Sequence, residues 1–310
     1  MRQRRLGKWI FGSGQSSAVG MARFTSDGTG GQVTEIPGRG EQFWQFPGCD
    51  LVEDFSAADW LVPLLSHRGG EVRSWVPEIF ESYARVFYPI VRSGEVVDGQ
   101  IVARNPPTLR WSDVAERNGW QVHPEMAAEA IVRPGPGRTM EPPDVQLNDV
   151  GHVLDEAQFS VLASMLAQYT DTPEVTWFGL WEGYGDLMVG WAPAAGRQDV
   201  HQVKSPDVFE LPDRSYLLYR APLSAWRLFR EGDHRQVPDL WWPDDRSWCL
   251  ATDTDFTWLY VGGTSECIEE ITSSTEIEAL RTTPDHRSYW IGADLINDPN
   301  GDTLPERLKR

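Results

Sequence analysis

"DLWWPDDRSWCLATDTDFTWLYVGG", residues 239–263, is the stretch on which the fold turns. It holds four tryptophans and five aspartates in 25 residues. Two accounts fit it. In one, the carboxylates act on a ligand that the indoles hold. In the other, the rings fill a core and the acids sit in bends. The second accounts for more of the pattern. Trp248 and Leu250 alternate with Cys249 and Ala251, the period of a strand. "SWCLAT" and "FTWLYVGG" then flank "DTD" as the arms of a β-hairpin. Asp253 and Asp255 fall in its loop, where short polar side chains bond their own backbone. "PDD" after Trp242 has the same turn chemistry.

Working outward, "EVTWFGLWEGYG" (174–185) sets Trp177, Gly179 and Trp181 against Phe178 and Leu180, again strand spacing. "SYARVFYPI" (82–90) sets Tyr83, Arg85 and Phe87 against Ala84, Val86 and Tyr88. "SYLLYRAPLSAWRLFRE" (215–231) reads as a strand, a proline break and a helix, and "IEALRT" (277–282) as a last strand. The clearest helix is "LDEAQFSVLASMLAQYTDTP" (154–173). Phe159, Leu162, Leu166 and Tyr169 recur at helical spacing, and Asp155 with Gln158 has the spacing of a capping box. Shorter helices are expected in four places. They are "FSAADWLVPLL" (55–65, with Ser56 as N-cap), "TLRWSDVAERNG" (108–119, stopped at Gly119), "HPEMAAEAIV" (123–132, with Pro124 in the first turn) and "TSECIEEI" (264–271). The mixture predicts an α+β fold, a largely antiparallel sheet with several short helices packed on it.

The 310 residues suffice for one large domain or two modest ones. Residues 1–40 are rich in Gly, Ser and Thr and are expected to form a disordered tail. One α+β domain is expected over 45–295, followed by a C-terminal tail, 296–310. "RPGPGRTMEPPD" (133–144) marks a long loop or subdomain boundary near 133–146. Met21 is an alternative start to Met1.

Net charge is −18. Residues 1–40 carry six basic against two acidic residues, +4, which leaves −22 on the remaining 270. Such a body repels nucleic-acid phosphates and anionic membranes and favours a basic protein partner. Lys8, Lys204 and Lys309 are the only lysines, so 25 of the 28 basic residues are arginine, the bias of a GC-rich genome. Cys49, Cys249 and Cys267 are scattered and odd in number, which fits a reduced, cytoplasmic protein. No apolar run approaches the length of a membrane span.

Known catalytic and cofactor signatures are missing. No HExxH, Walker loop, GxGxxG or GxSxG occurs, and "HPE" at 123–125 lacks the PCxxC that would complete a zinc site. No cofactor or metal is expected. Two clusters stand out as candidate ligand-binding sites. One is Trp177, Trp181, Glu182 and Tyr184, where a strand runs out into glycines. The other is Trp242, Asp253, Asp255 and Trp258. If the two met at one end of a sheet, Glu182 with Asp253 or Asp255 would suit acid/base work on a carbohydrate. The two aspartates would equally suit a hard cation.

"WVPEIFESYARVFYP", "RWSDVAERNGWQVHPEM", "WFGLWEGYG" and "LWWPDDRSWCLATDTDFTWLYVGG" together resemble uncharacterised proteins of GC-rich actinobacteria over roughly residues 50–290. The resemblance implies a single folded unit and brings no activity with it. The expectation is therefore a non-catalytic acidic binding protein, of the immunity or antitoxin type. The alternative is a carbohydrate or small-ligand binding protein, or a hydrolase, using Glu182 with Asp253 or Asp255.

Overall fold

A computed structural model describes residues 45–65, 70–90, 96–97, 100–101, 108–136, 153–184, 206–212, 214–230, 237–287, 294 and 296–300. These all belong to one compact unit, Gly40–Arg310. The basic tail, most of the 133–146 loop, residues 66–69 and the last ten residues lie outside the described residues.

The quoted stretch folds into three consecutive strands, β8 (Leu240–Pro243), β9 (Cys249–Ala251) and β10 (Trp258–Gly263), each antiparallel to the next. They form the middle of a nine-stranded sheet. Its other strands are β1 (Asp50–Val52), β2 (Ser82–Phe87), β5 (Thr176–Trp181), β6 (Phe209–Leu211), β7 (Arg214–Ala221) and β11 (Glu278–Thr282). A separate short ribbon pairs β3 (Val96–Val97) with β4 (Gln100–Ile101). The strand order is β1-β7-β5-β8-β9-β10-β2-β11, with β6 sharing the outer edge of β7, and every pairing is antiparallel. The α+β class and the largely antiparallel sheet read from the sequence are what the chain forms.

Both faces of this sheet are covered, so it is the middle of three layers. On one face, Ala84, Val86, Phe178, Leu180, Trp241, Leu250, Leu259 and Val261 meet α4 (Glu156–Gln168), the 3₁₀ helix Leu223–Arg230 and α5 (Ser265–Thr272). On the other, Tyr83, Phe87, Leu240, Trp242, Cys249, Ala251, Trp258 and Tyr260 meet α1 (Leu61–Leu64), α2 (Trp111–Asn118) and α3 (Ala128–Ile131). Successive strand residues point to opposite faces, so a strand buried on both sides must be apolar without interruption. All four residues of β8 and all six of β10 are buried. That answers the question posed by the tryptophans: Trp241, Trp242 and Trp248 are essentially fully buried, and Trp258 nearly so.

The local signals act as their chemistry dictates. Asp155 and Gln158 cap α4 reciprocally, at 2.8 and 3.1 Å. Thr264 caps α5 through the Cys267 N–H at 3.2 Å. Gly119 ends α2 in the left-handed region, φ 81°, which a side chain rarely adopts. The other end of α2 is held from outside, because the Glu278 carboxylate on β11 accepts from the Trp111 and Ser112 N–H groups at 2.6 and 2.8 Å. A carboxylate there satisfies orphan donors and faces the positive end of the helix.

Three expectations are corrected. Pro124 precedes α3 by a full turn, because the chain first bends at His123, where Met126 N–H donates to the His123 carbonyl at 3.0 Å. Ser56 does not cap a helix. It opens the 3₁₀ turn Ser56–Ala58, its N–H held by Asp54 at 3.0 Å, and α1 starts only at Leu61 and turns Leu64 toward solvent. Tyr169 lies at the C-cap of α4 rather than on its buried face, and its hydroxyl donates to Glu270 at 2.6 Å.

Trp248 ties the sheet to its helical cover, since its indole N–H donates to the Leu166 carbonyl at the end of α4, at 3.0 Å. Trp248→Ala is expected to cost about 3–5 kcal/mol through cavity and lost hydrogen bond. Urea unfolding followed by circular dichroism reads that loss as a lowered midpoint.

Candidate functional site

A sheet sealed on both faces has room for polar chemistry only where its strands end. One end of this sheet gathers such groups. The ladder continues past the strands there: Asp239 N–H donates to the Gly179 carbonyl at 2.7 Å, Thr252 N–H to the Asp239 carbonyl at 2.8 Å, and Tyr88 N–H to the Thr257 carbonyl at 2.9 Å. The ends of β2 and β5, the starts of β7 and β8, and the β9–β10 loop therefore lie side by side.

Asp239 is the most deeply buried acid at this end, only 2% exposed. Its carboxyl accepts from the Trp181 N–H at 2.7 Å and from the Tyr184 hydroxyl at 2.9 Å. Burial pushes its acid dissociation up to about 7, against the pull of those two donors, and the neighbouring Asp253 adds to the rise. The Tyr184 hydroxyl is in turn pushed well up, by burial first and then by the facing carboxyl. Next to this pair, Tyr88 and Thr252 bond through their hydroxyls at 2.5 Å. Thr252 also donates to the Trp258 carbonyl at 3.0 Å, so the shared proton of the first bond comes from Tyr88.

Arg214, at the start of β7, forms the second half of the site. Its guanidinium lies over the Trp181 ring at 4.1 Å and binds Asp253 at 2.7 Å, with Asp255 at 3.9 Å. Asp253 is nearly buried while Asp255 is 79% exposed, so the first is a partner held in the interior and the second a rim residue. Asp253 also accepts from the Asp255 N–H at 3.0 Å, the self-bonded turn expected of it.

The candidates divide accordingly. Trp181, Glu182, Tyr184, Asp253 and Asp255 come together at this end. Glu182 is exposed, and its N–H bonds the Ser215 carbonyl at 3.1 Å, which extends the β5–β7 ladder. Trp177 and Trp242 do not join them. They are register partners towards the far end of β5. Trp177 donates to Asp244 at 2.9 Å, and Trp242 packs edge-on against Trp60 at 6.3 Å. Trp258 faces the interior, stacked on Phe256 at 4.6 Å and capping the buried Arg85 guanidinium at 3.8 Å. The β5 strand pairs with β8, not directly with the 248–260 hairpin, so the two clusters meet through the intervening strand.

Asp239, Arg214, Tyr88 and Thr252 escaped sequence reasoning. Asp239 stands immediately before the buried run "LWW", and a carboxylate abutting such a run is the one signal that pointed to it. Arg214 carries no local signal, because its partners are far away in sequence.

Chemically, the site holds proton-binding and ion-pairing groups. Among the described residues, no three His, Cys, Asp or Glu side chains converge as metal ligands. A cleft nearby, lined by Ser74, Trp75, Leu211, Tyr216, Leu240 and Thr252, has room for about one water molecule. Burial pushes the Cys49 and Cys267 thiols up to about 11 and 12, and Cys249 higher still, away from the reactive thiolate. At His123 both ring nitrogens are engaged: Nδ1 accepts from the Glu125 N–H at 3.2 Å, so Nε2–H donates to Asp294 at 2.9 Å. That pair anchors the 294–300 segment.

Removing one member of a buried ion pair strands the other. Arg214→Met is expected to destabilise by about 3–5 kcal/mol, and adding Asp253→Asn to recover much of it. A double-mutant cycle in urea measures the coupling. Compared with known proteins, the chain matches no family model, no curated protein and no solved structure.

Proposed function

We propose that the protein acts by binding, and that its partner is a protein with a basic surface that meets the end of the sheet around Arg214. The observation that carries this reading is the division of labour among the acids there. Asp239 and Asp253 are consumed in internal bonds. The exposed carboxylates ring them: Glu182 bonds through its backbone to Ser215, Glu210 is the register partner of Ser215, and Asp255 reaches toward Arg214. A core of stacked Trp181 and Arg214 flanked by exposed carboxylates suits a complementary basic face better than a small substrate. The −22 carried by residues 41–310 acts in the same direction over longer range, as electrostatic steering. A cytoplasmic immunity or antitoxin role is the specific form of this proposal.

Acids acting on a small substrate would line a cleft, and the cleft beside Thr252 is water-sized and lined by none of Glu182, Asp253 and Asp255. In the described part of the chain no helix is long and apolar enough to cross a membrane.

The test is calorimetric titration of the purified chain against the purified products of its flanking genes, at two salt concentrations. A binder of this kind loses affinity by tenfold or more between about 50 and 300 mM salt, and again in the triple variant Glu182→Lys/Glu210→Lys/Asp255→Lys. Affinity indifferent to both changes contradicts the proposal.

A further inference from the structure

We propose that Asp239 is an internal proton-binding site that makes the joint between the end of β5 and the start of β8 respond to pH, tight when the carboxyl is neutral and loosened when it is ionised. The geometry sets the conditions. The carboxyl is sealed from water and bonded to two donors of the same joint, the Trp181 N–H and the Tyr184 hydroxyl. Among the described residues the cation that acts on it is Arg214, whose guanidinium is bonded to Asp253 at 2.7 Å and lies 3.9 Å from Asp255, so its pull on Asp239 is a minor one beside burial. Of the described charged and titratable groups that face Asp239, Tyr184 follows β5, Tyr88 follows β2, Arg214 opens β7 and Asp253 lies in the β9–β10 loop. Three of the four carry no positive charge, and Asp253 repels an ionised Asp239.

The hydrogen-bond inventory accommodates the proton. A neutral Asp239 still accepts from the Trp181 N–H on one oxygen and donates from the other to the Tyr184 oxygen. Ionisation keeps both contacts but places a second negative charge beside Asp253 in a sealed site. The joint then closes less firmly relative to a locally open form in which water solvates the carboxylate.

The sign follows from linkage. The closed form releases its proton only near pH 7, whereas an opened, hydrated aspartate releases it near its ordinary value of 3.8. Closure is therefore fully favoured below about pH 4, weakens as pH rises through the interval and levels off above about 7. Because Glu182 lies between Trp181 and Tyr184, the same proton would tune the acidic rim. That consequence rests on the binding reading above, whereas the joint itself does not.

The experiment is hydrogen exchange on the free protein, resolved at the peptide containing the Trp181 amide and normalised to the intrinsic rate at each pH. In the wild type the protection factor is expected to fall by about tenfold per pH unit between pH 5 and 6.5 and to flatten above 7. Asp239→Asn keeps both bonds and carries no charge, so its protection should be level across the range. Tyr184→Phe removes a donor to the ionised form and should move the plateau to higher pH, while Asp253→Asn should move it lower. Parallel profiles in wild type and Asp239→Asn overturn the proposal. If Asp239→Asn fails to fold, infrared spectra of the wild type decide. A protonated-carboxyl band present at pH 6 and lost by pH 8.5 supports the site, and its absence at pH 6 overturns it.

Discussion

The structure depends on one constraint, the burial of an antiparallel sheet on both faces. Antiparallel sheets commonly leave a face to water and read as alternating apolar and polar residues. Here Trp241 and Trp242, adjacent in β8, point to opposite faces and each finds a closed core. Phe159 stacks on Trp241 at 5.7 Å from α4, and Trp60 meets Trp242 from beside α1. Aromatic rings fill wide inter-layer space with few residues, which is why fifteen tryptophans fit into an ordinary overall composition. Polar groups are then displaced to the strand ends, where Asp239, Arg214, Asp253, Tyr88 and Thr252 collect.

One charge stays inside. Arg85, in the middle of β2, is 1% exposed. Its guanidinium lies among Trp258, Phe87 and Trp111 at 3.8, 5.0 and 5.9 Å and donates once, to the Pro124 carbonyl at 2.7 Å. Among the described residues its Nε and Nη2 find no hydrogen-bond acceptor. Burial lowers its proton affinity to about 10, with Tyr260 and Glu125 opposing the change, so it stays charged at neutral pH. Ring faces offer a desolvated guanidinium about 2 kcal/mol or more. The cage thus offsets part of the cost of interring the charge, and the Pro124 bond ties the bend at His123 to the sheet.

How far the sequence revealed this depended on the range of each interaction. Local signals were legible. The Asp155–Gln158 cap, the Gly119 stop, the alternation in β2, β5 and β9 and the "DTD" hairpin all act within a few residues, and each forms as read. What could not be read was pairing across long separations. That β5 lies against β8, that Glu278 caps α2 from 167 residues away, and that Arg214 bridges to Asp253 are consequences of topology. β1, β6 and β8 were missed for a related reason: three or four residues give too little periodicity, and β8 lacks alternation because both of its faces are buried. At the site, the aromatics and loop acids were visible as types, but Asp239 was one aspartate among five until its neighbours were known.

The sequestration of the indoles on both sides of β8 is the claim most open to direct measurement. Fluorine NMR of the 5-fluorotryptophan-labelled protein, with Trp241, Trp242 and Trp248 assigned by single Trp→Phe replacements, compares each resonance in H₂O and D₂O. Sealed rings give no solvent isotope shift, and that is the result the double-faced core requires. A full solvent shift at any of the three would mean that a face of the sheet is open, and the account of the fold and of its polar end would fall together.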